Sequence, residues 1–170
     1  MIIDIGSGPH PEPTADIVID KYLDGDGTSR GNSDLKILPH QKFIQADICK
    51  LPFEDKEVDY VYTKHILEHV DYPCKACKEI MRVGKAGYIE TPTSLWETLF
   101  GRSYHLWLMN LEDGELIFRR KKLETYKENT FDGDWLYSNV PEFKSMFHKN
   151  IDLFSVRLHW KDEFKFEVRY

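Results

Sequence analysis

The stretch that decides the fold is Ile2-Ile3-Asp4-Ile5-Gly6-Ser7-Gly8, a short apolar run followed at once by two glycines. A run of this length that ends in turn residues is typical of a buried strand. Glycine lets the backbone approach a ligand where a Cβ atom would collide. Open α/β sheets bind their ligands beyond the carboxyl ends of parallel strands. The stretch therefore predicts a strand whose end faces a ligand, although two glycines alone more often form only a turn.

Four more segments have the length and apolar content of strands, and each ends at a polar or turn residue. They are Ile17–Ile19, Lys42–Ala46, Val58–Tyr62 and Gly87–Glu90. Between the last two, apolar residues recur at helical spacing, and Pro73 is predicted to open the second of two helices. Strands that alternate with crossovers predict an α/β fold with a Rossmann-like, mainly parallel sheet.

The rest of the chain has a different pattern, which predicts an inserted β-hairpin, two short helices and an antiparallel C-terminal strand pair. The segments are Tyr104–Met109 and Glu115–Arg119 for the hairpin, Leu123–Asn129 and Glu142–Phe147 for the helices, and Leu153–His159 and Phe164–Val168 for the final strands. Gly114 is predicted to take a positive φ in the hairpin turn. The stretch from Leu23 to Asp34, rich in Gly, Asp and Ser, predicts a mobile surface loop.

Length and charge narrow the function classes. The 170 residues suit one domain, and the net charge of −6 does not favour a large nucleic-acid footprint. We see no apolar run of bilayer length and no leader-like N-terminus, so we expect a cytoplasmic protein without a membrane partner. Three cysteines, an odd number, argue against a disulfide framework.

Two acidic residues follow the second and third predicted strands. Asp20 ends the second strand, where a carboxylate can accept hydrogen bonds from ribose hydroxyls. Asp47 ends the third, where a carboxylate can accept from an adenine amino group. Either one alone is an ordinary turn residue. Together with the Gly6 loop, Asp20 and Asp47 would line one edge of the sheet. Three such features at one edge indicate a binding site more than three unrelated turns.

The stretch from Ile3 to Pro92 resembles the class I S-adenosylmethionine-dependent methyltransferases, especially the small-molecule type. The resemblance rests on Asp4 to Pro9, Val18 to Asp20, Ala46 to Ile48 with Leu51 to Phe53, Val58 to Tyr62, His65 to Val70, and Glu79 to Val83 leading to Gly87. It implies S-adenosylmethionine as cofactor. The cofactor-binding residues that it implies are Asp4, Gly6, Ser7, Gly8, Pro9, Asp20, Lys21, Asp47, Ile48, Thr63, Lys64 and His65.

The resemblance also implies how these residues are used. Asp4 and the Gly6 loop would face the methionine part of the cofactor, Asp20 the ribose, and Asp47 with Ile48 the adenine. On this view residues 1–92 form the cofactor-binding half of a single domain. Residues 93–150 form a substrate or lid insertion, and residues 151–170 the terminal strand pair.

The chain departs from the family directly after the glycine loop. His10 stands where the family usually has a third glycine, and Pro9, Pro11 and Pro13 occupy the place of its first crossover helix. Prolines at alternating positions deny a helix its donors, so we expect this helix to be shortened or absent. A thinly covered sheet face would follow, and a homodimer partner or the C-terminal segment would cover it. No helix N-terminus would then point at the methionine carboxylate.

Three histidines are candidates for a catalytic base. His65 follows the fourth strand and is the best placed, with His69 and His105 behind it, although a structural role is the commoner one for any single histidine. His65-Ile66-Leu67-Glu68-His69 also matches the zinc motif of inverted metallopeptidases, in which both histidines share a helix face. The strand pattern around it disfavours that interpretation, and we expect no metal. Cys74 and Cys77 form a single C-x-x-C pair, best explained as two helix residues at the core or its rim.

We therefore predict a methyltransferase that transfers a methyl group from S-adenosylmethionine to an oxygen or nitrogen of a small-molecule acceptor. The acceptor wall is expected after Pro92, although its aromatic rings could equally pack the hairpin onto the sheet. An alternative is a non-catalytic cofactor-binding or interaction module with the same fold. A more distant alternative is a zinc hydrolase built on the His-x-x-Glu-His motif.

Overall fold

The computed structural model describes residues 1–23, 34–122 and 132–170. Its main sheet has six strands in the order β3-β2-β1-β4-β5-β8. The strands are β1 Ile2–Ile5, β2 Ile17–Asp20, β3 Lys42–Gln45, β4 Tyr60–Lys64, β5 Ala86–Pro92 and β8 Ser155–Lys161. The first five pair in parallel, and only β8 joins antiparallel, against β5. The mixed α/β, Rossmann-like fold class is confirmed.

The fourth strand begins two residues later than the sequence predicts. Val58 makes only an isolated bridge with Gly84, and the ladder with β1 starts at Tyr60. Thr63 and Lys64 therefore lie inside β4, and His65 is the first residue after it.

The connection from β1 to β2 contains no helix, as the prolines predict. Residues 6–16 form turns and extended backbone. One consequence is visible on the sheet face that bears Tyr60, Tyr62 and Tyr88, whose rings stay only half-buried. The suggestion that a second copy of the chain covers this face stays a prediction.

One helix follows β4, where the sequence predicts two. Residues 65–70 contain only a short 3₁₀ helix at Leu67–His69, and the full helix, α1, spans Pro73–Val83 with Pro73 in its first turn. The α1 face with Ala76, Cys77 and Ile80 is completely buried and joins the core formed with the apolar residues of β1, β2 and β4. Cys77 is thus a core residue and Cys74 is exposed at the rim, as expected.

A second, three-stranded sheet has the order β6-β7-β9, with β6 at Trp107–Glu112, β7 at Glu115–Arg120 and β9 at Lys165–Arg169. The predicted hairpin is present, and its turn has positive φ at Asp113 and Gly114. The two predicted C-terminal strands are also present, but they lie in different sheets. The first is β8, antiparallel to β5, and the second is β9, parallel to β7. The turn at Asp162 therefore leads from one sheet to the other, and β8 and β9 do not form the antiparallel pair that the sequence predicts.

Four helices complete the described part of the chain. They are α2 Ser94–Phe100, α3 Gly133–Asn139, α4 Pro141–Lys149 and α5 Ile151–Phe154. The predicted helix at Glu142–Phe147 corresponds to α4. The predicted helix at Leu123–Asn129, and all but the ends of the predicted Leu23–Asp34 loop, lie outside the described residues. No helix of the described ranges is long and apolar enough to span a membrane.

Lys56 ties the end of α1 to the C-terminal strands. Its ammonium donates to the carbonyl oxygens of Met81 at 2.7 Å, Gly84 at 3.0 Å and Asp162 at 2.8 Å. A lysine at a helix C-terminus satisfies carbonyls that have no partner within the helix. This single side chain therefore links three segments that are distant in sequence.

Replacing Lys56 by Met should lower the free energy of unfolding by roughly 1–2 kcal/mol, because three carbonyl oxygens lose their donor. Lys78→Met, at an exposed position of α1, is the matched control and should change the free energy of unfolding by less than about 0.5 kcal/mol. Urea denaturation of both variants measures the difference, and equal stabilities would contradict the assignment.

Candidate functional site

A cavity of about 490 Å³ opens at the carboxyl ends of β1, β2, β3 and β4. Its volume lies in the range of small-molecule and cofactor sites. The predicted site residues that line it are Gly6, Asp20, Lys21, Asp47, Ile48, His65 and His69. The parallel pairing explains why they meet, since each follows or ends a strand at the same edge of the sheet. Six of the twelve predicted cofactor residues are therefore brought together.

Gly6 is the point where the chain turns away from β1. Its φ is +70°, and its amide donates to the Ile19 carbonyl at 2.7 Å, which continues the β1–β2 contact. A Cβ atom at this position would come within 2.6 Å of Ile66 Cδ1 and 2.8 Å of Ile66 Cγ1. Ile66 also lines the cavity. Gly6 is therefore required both by its dihedral angle and by the close approach of the cavity wall.

The other members of the glycine loop are set back from the cavity. Ser7, Gly8 and Pro9 are not among its lining residues. Gly8 is buried at φ +52°, and its carbonyl accepts from the Lys36 amide at 3.0 Å. The loop thus presents one glycine, not two, to the cavity.

Gly6→Ala should destabilise the protein by roughly 2–4 kcal/mol, because the left-handed φ and the overlap with Ile66 both add cost. Gly114→Ala is the matched control. Gly114 has φ +77°, and no described atom lies within 4 Å of the place that an added methyl group would take, so only the dihedral cost of about 1–2 kcal/mol remains. Thermal or urea unfolding compares the two, and an equal loss would show that Ile66 does not press on Gly6.

Asp20 and Asp47 stand at the ends of neighbouring strands. Asp20 Oδ1 accepts from the Tyr22 amide at 3.0 Å. Asp47 Oδ1 accepts from the Cys49 amide at 2.8 Å, and its Oδ2 pairs with the Lys21 ammonium at 3.0 Å. Burial opposes ionisation of Asp47, but the Cys49 amide and Lys21 outweigh it and hold its pKa below the usual value. Asp47 is therefore an ionised acceptor at neutral pH.

Asp4 lies on the opposite side of β1 from Ile3 and Ile5. It is completely buried, its Oδ2 accepts from the Glu12 amide at 2.7 Å, and its Oδ1 has no hydrogen-bond partner among the described residues. Burial raises its pKa to about 6, against the Glu12 amide and the Lys64 charge, which lower it. Asp4 is not part of the cavity lining. The proline-rich segment covers it through Glu12.

Thr63 and Lys64 are likewise outside the lining. Thr63 is buried within β4, and its hydroxyl donates to the Tyr88 carbonyl at 3.3 Å. Lys64 pairs with Glu12 at 3.0 Å, above Asp4. Lys64 therefore lies on the Asp4 side of the sheet, whereas Thr63, which is in register with Ile5, lies on the other side.

Asp4→Asn should stabilise the protein above pH 6, because an amide replaces a buried, partly unsatisfied carboxylate. The raised pKa of Asp4, from 3.8 to about 6, means that wild-type stability falls as the pH rises through this window. The gain from the substitution should therefore be roughly 1–3 kcal/mol at pH 8 and vanish near pH 4. Glu163→Gln, at an exposed position, is the control for charge removal. A gain that does not vary with pH would contradict the burial argument.

His65 stands between two carboxylates at the cavity mouth. Its Nδ1 is 3.5 Å from Glu68 Oε1, its Nε2 is 3.6 Å from Glu90 Oε1, and its φ is +55°. Burial lowers the pKa of His65, but Glu68 and Glu90 outweigh it and raise the value to about 9. The side chain is 57% exposed, so water screens part of this attraction. The direction still favours an imidazolium at neutral pH, which is a poor general base.

His69 and His105 lie deeper, at the inner wall. The His69 ring stacks on Tyr104 with centroids 5.6 Å apart and meets the His105 ring edge-on at 4.7 Å. Burial is the main reason that the pKa of His69 lies below its usual value. His105 is buried and outside the cavity lining, and its Nδ1 is 2.6 Å from Glu97 Oε2.

The metallopeptidase interpretation requires one helix that carries both His65 and His69, and the structure has no such helix at these residues. His65 precedes the 3₁₀ helix at Leu67–His69 and has a left-handed φ, so it does not share a helix face with His69. In the basic stretch Arg119–Lys122, three residues are exposed and Lys121 is not. Lys121 is buried and pairs with Glu97, and it also donates to the Arg102 carbonyl at 2.7 Å.

Sequence reasoning missed two groups of residues at this site. Additional lining comes from Tyr22, Cys49, Ile66, Tyr72 and Lys75, which no local pattern distinguishes from surface or core positions. Tyr104 and Leu106 also line the cavity, and they lie in the region after Pro92 where the acceptor wall is predicted. Buried charges come from Glu68 and Glu97, both completely or almost completely inaccessible. Glu68 stood inside the quoted histidine motif, so its position carried a signal. Glu97 lies in the short helix α2, where no sequence signal indicated that it is buried.

The sequence model of the methyltransferase domain family matches residues 21–89. The chain resembles the class I methyltransferases. The matched segment runs from Lys21 to Ile89 and so contains Asp47, Ile48, β4, α1 and the first four residues of β5. S-adenosylmethionine is the cofactor of this class, as the motifs in the sequence implied.

Three solved structures are similar to part of the chain. The YcgJ protein from Bacillus subtilis is 19% identical, over 54% of this chain and 44% of its own, with a TM-score of 0.40. A SAM-dependent methyltransferase from Methanosarcina mazei is 20% identical, over 56% of this chain and 54% of its own, with a TM-score of 0.39. The [4+2]-cyclase SpnF is 20% identical, over 55% of this chain and 39% of its own, with a TM-score of 0.40.

The chain spans about two fifths to just over half of the length of these three structures. No curated protein matches the chain.

Proposed function

We propose that the chain binds S-adenosylmethionine in the cavity at the carboxyl ends of β1 to β4 and transfers its methyl group to an oxygen or nitrogen of a small molecule. One observation carries the proposal. Gly6, Asp20 and the Asp47-Ile48 pair line one cavity in the strand order that the family resemblance implies. The domain-family match over residues 21–89 supports the same class of reaction.

The adenosine end of the cofactor fits the β2 and β3 side of the cavity. Asp20 is 8% exposed and would accept hydrogen bonds from the ribose hydroxyls. Asp47 is ionised and would accept from the adenine amino group, although it must share its oxygens with Cys49 and Lys21. Tyr22 and Ile48 on the same wall supply apolar contact for the purine ring.

The methionine end would lie near Gly6 and His65. Residues 6–16, between β1 and β2, contain no helix whose N-terminus could stabilise the methionine carboxylate, so we assign that role to a cation. The imidazolium favoured at His65 has the right charge and position at the cavity mouth. This assigns His65 to cofactor binding instead of base catalysis.

Methyl transfer is an in-line displacement whose leaving group is a neutral thioether. Placing the acceptor atom against the methyl group supplies much of the rate. Where the acceptor carries a proton, His69 is the base that the geometry supports among the three histidines. It lines the cavity and its lowered pKa keeps the imidazole neutral, whereas His105 lies outside the lining.

Isothermal titration calorimetry with S-adenosylhomocysteine tests the cofactor assignment. Asp20→Ala and Asp47→Ala should each weaken binding roughly ten- to a hundredfold, because each removes a charged hydrogen-bond acceptor. Asp152→Ala is the control, since Asp152 lies on α5 with its side chain 85% exposed. Absence of heat at millimolar ligand, or equal affinities for all variants, would overturn the proposal.

Turnover separates the enzyme from a binding module of the same fold. Labelled S-adenosylmethionine incubated with a metabolite panel should give a labelled product. Cofactor binding without any labelled product would favour the non-catalytic alternative.

A further inference from the structure

A buried carboxylate with unsatisfied oxygens lies behind the cavity wall. Glu68 is completely inaccessible to solvent, and neither of its oxygens has a hydrogen-bond partner among the described residues. A buried polar group without a hydrogen-bond partner is unfavourable, and a bound cation or ligand is one way in which such a group is completed. His65 compensates Glu68 only in part, because its Nδ1 lies 3.5 Å from Glu68 Oε1, a long contact, and its side chain is 57% exposed.

Two imidazoles converge on this carboxylate. One nitrogen each from His69 and His105 and one oxygen of Glu68 all lie within 4.8 Å of one another. His69 Nε2 is 3.9 Å from Glu68 Oε1, and His69 Nδ1 is buried without a hydrogen-bond partner in the described part of the chain. Ligand atoms around a tetrahedral zinc ion are roughly 3.4 Å apart, so small side-chain movements would close the site.

The surroundings of His105 are those of a metal ligand. Its Nδ1 bonds to Glu97 Oε2 at 2.6 Å, which leaves Nε2 as the nitrogen available to an ion. Glu97 is held in turn by the Lys121 ammonium and by the Arg102 amide at 2.8 Å. A carboxylate that orients the far nitrogen of a ligating histidine is the usual outer layer of a zinc site.

We propose that Glu68, His69 and His105 bind one divalent transition-metal ion of the zinc type at the inner wall of the cavity. Two imidazoles and one carboxylate are a zinc donor set that leaves a coordination position open. His69 lines the cavity, so that position would face the bound small molecules. This set differs from the helical motif in the sequence, because it replaces His65 with a histidine that lies 36 positions after His69. It also departs from the sequence-based expectation that no metal is bound.

The proposal does not rest on S-adenosylmethionine binding. If the ion is present, the lone pair of His69 is committed to it, and His69 is then not the base. A metal-bound water or acceptor oxygen would take the corresponding place.

The test is a titration of the full chain, freed of metal with a chelator, with Co²⁺ and then Zn²⁺ and without cofactor. We expect one Co²⁺ per chain with a visible absorption band of tetrahedral type, and its loss when Zn²⁺ displaces it. Glu68→Gln, His69→Gln and His105→Gln should each weaken binding by at least about tenfold. His159→Gln, on the exposed face of β8, should leave it unchanged.

His65→Gln separates the proposed set from the helical motif. It should retain Co²⁺ if Glu68, His69 and His105 are the ligands, whereas loss of binding would overturn the proposed set. Circular dichroism confirms that each variant is folded, and Glu68→Gln should keep or raise the melting temperature of the metal-free protein. The proposal is overturned if the wild type takes up no stoichiometric ion, or if the folded Glu68→Gln and His69→Gln variants bind Co²⁺ as the wild type does.

Discussion

The site depends on the parallel register of β1 with its two neighbours. Ile5 pairs with Ile19 on one side and with Thr63 on the other, so the residues that follow all emerge at one edge of the sheet. Asp20 in turn pairs with Gln45, which sets Asp47 beside it. A shift of one residue in either pairing would turn the strand's side chains to the opposite face. The hydrophobic core around Ile3, Ile19 and Val61 holds that register.

The connection after β1 shows how a fold can dispense with one of its helices. The extended proline segment is pinned from both sides, by the Glu12 amide on Asp4 and by the Gln41 side chain on the Glu12 and Ala15 carbonyls. These bonds supply local order that a helix would otherwise provide. The cost is a buried carboxylate at Asp4 and a sheet face on which tyrosines stay half-exposed.

Buried charge is concentrated on the other side of the sheet, around the 3₁₀ helix and α2. Glu97 is compensated, since His105, Lys121 and the Arg102 amide all reach it. The oxygens of Glu68 have no hydrogen-bond partner among the described residues, and its contact with the exposed His65 ring is a long one of 3.5 Å. Glu97 is fully hydrogen-bonded and Glu68 is not. This contrast singles out Glu68 as a ligand for a metal ion.

The sequence by itself determined the parts that depend on local chemistry. Short apolar runs ending in Gly6, Asp20 and Asp47 defined strands and their ligand-facing ends, and Pro9 to Pro13 excluded a helix, because dihedral limits and missing donors act within a few residues. Only the tertiary structure decided what depends on distant contacts. It placed the last two strands in different sheets, gave His65 two acidic neighbours, and brought His105 to Glu68 and His69. The meeting of His105 with Glu68 and His69 arises from how β6 packs beside the 3₁₀ helix, which no local pattern reveals.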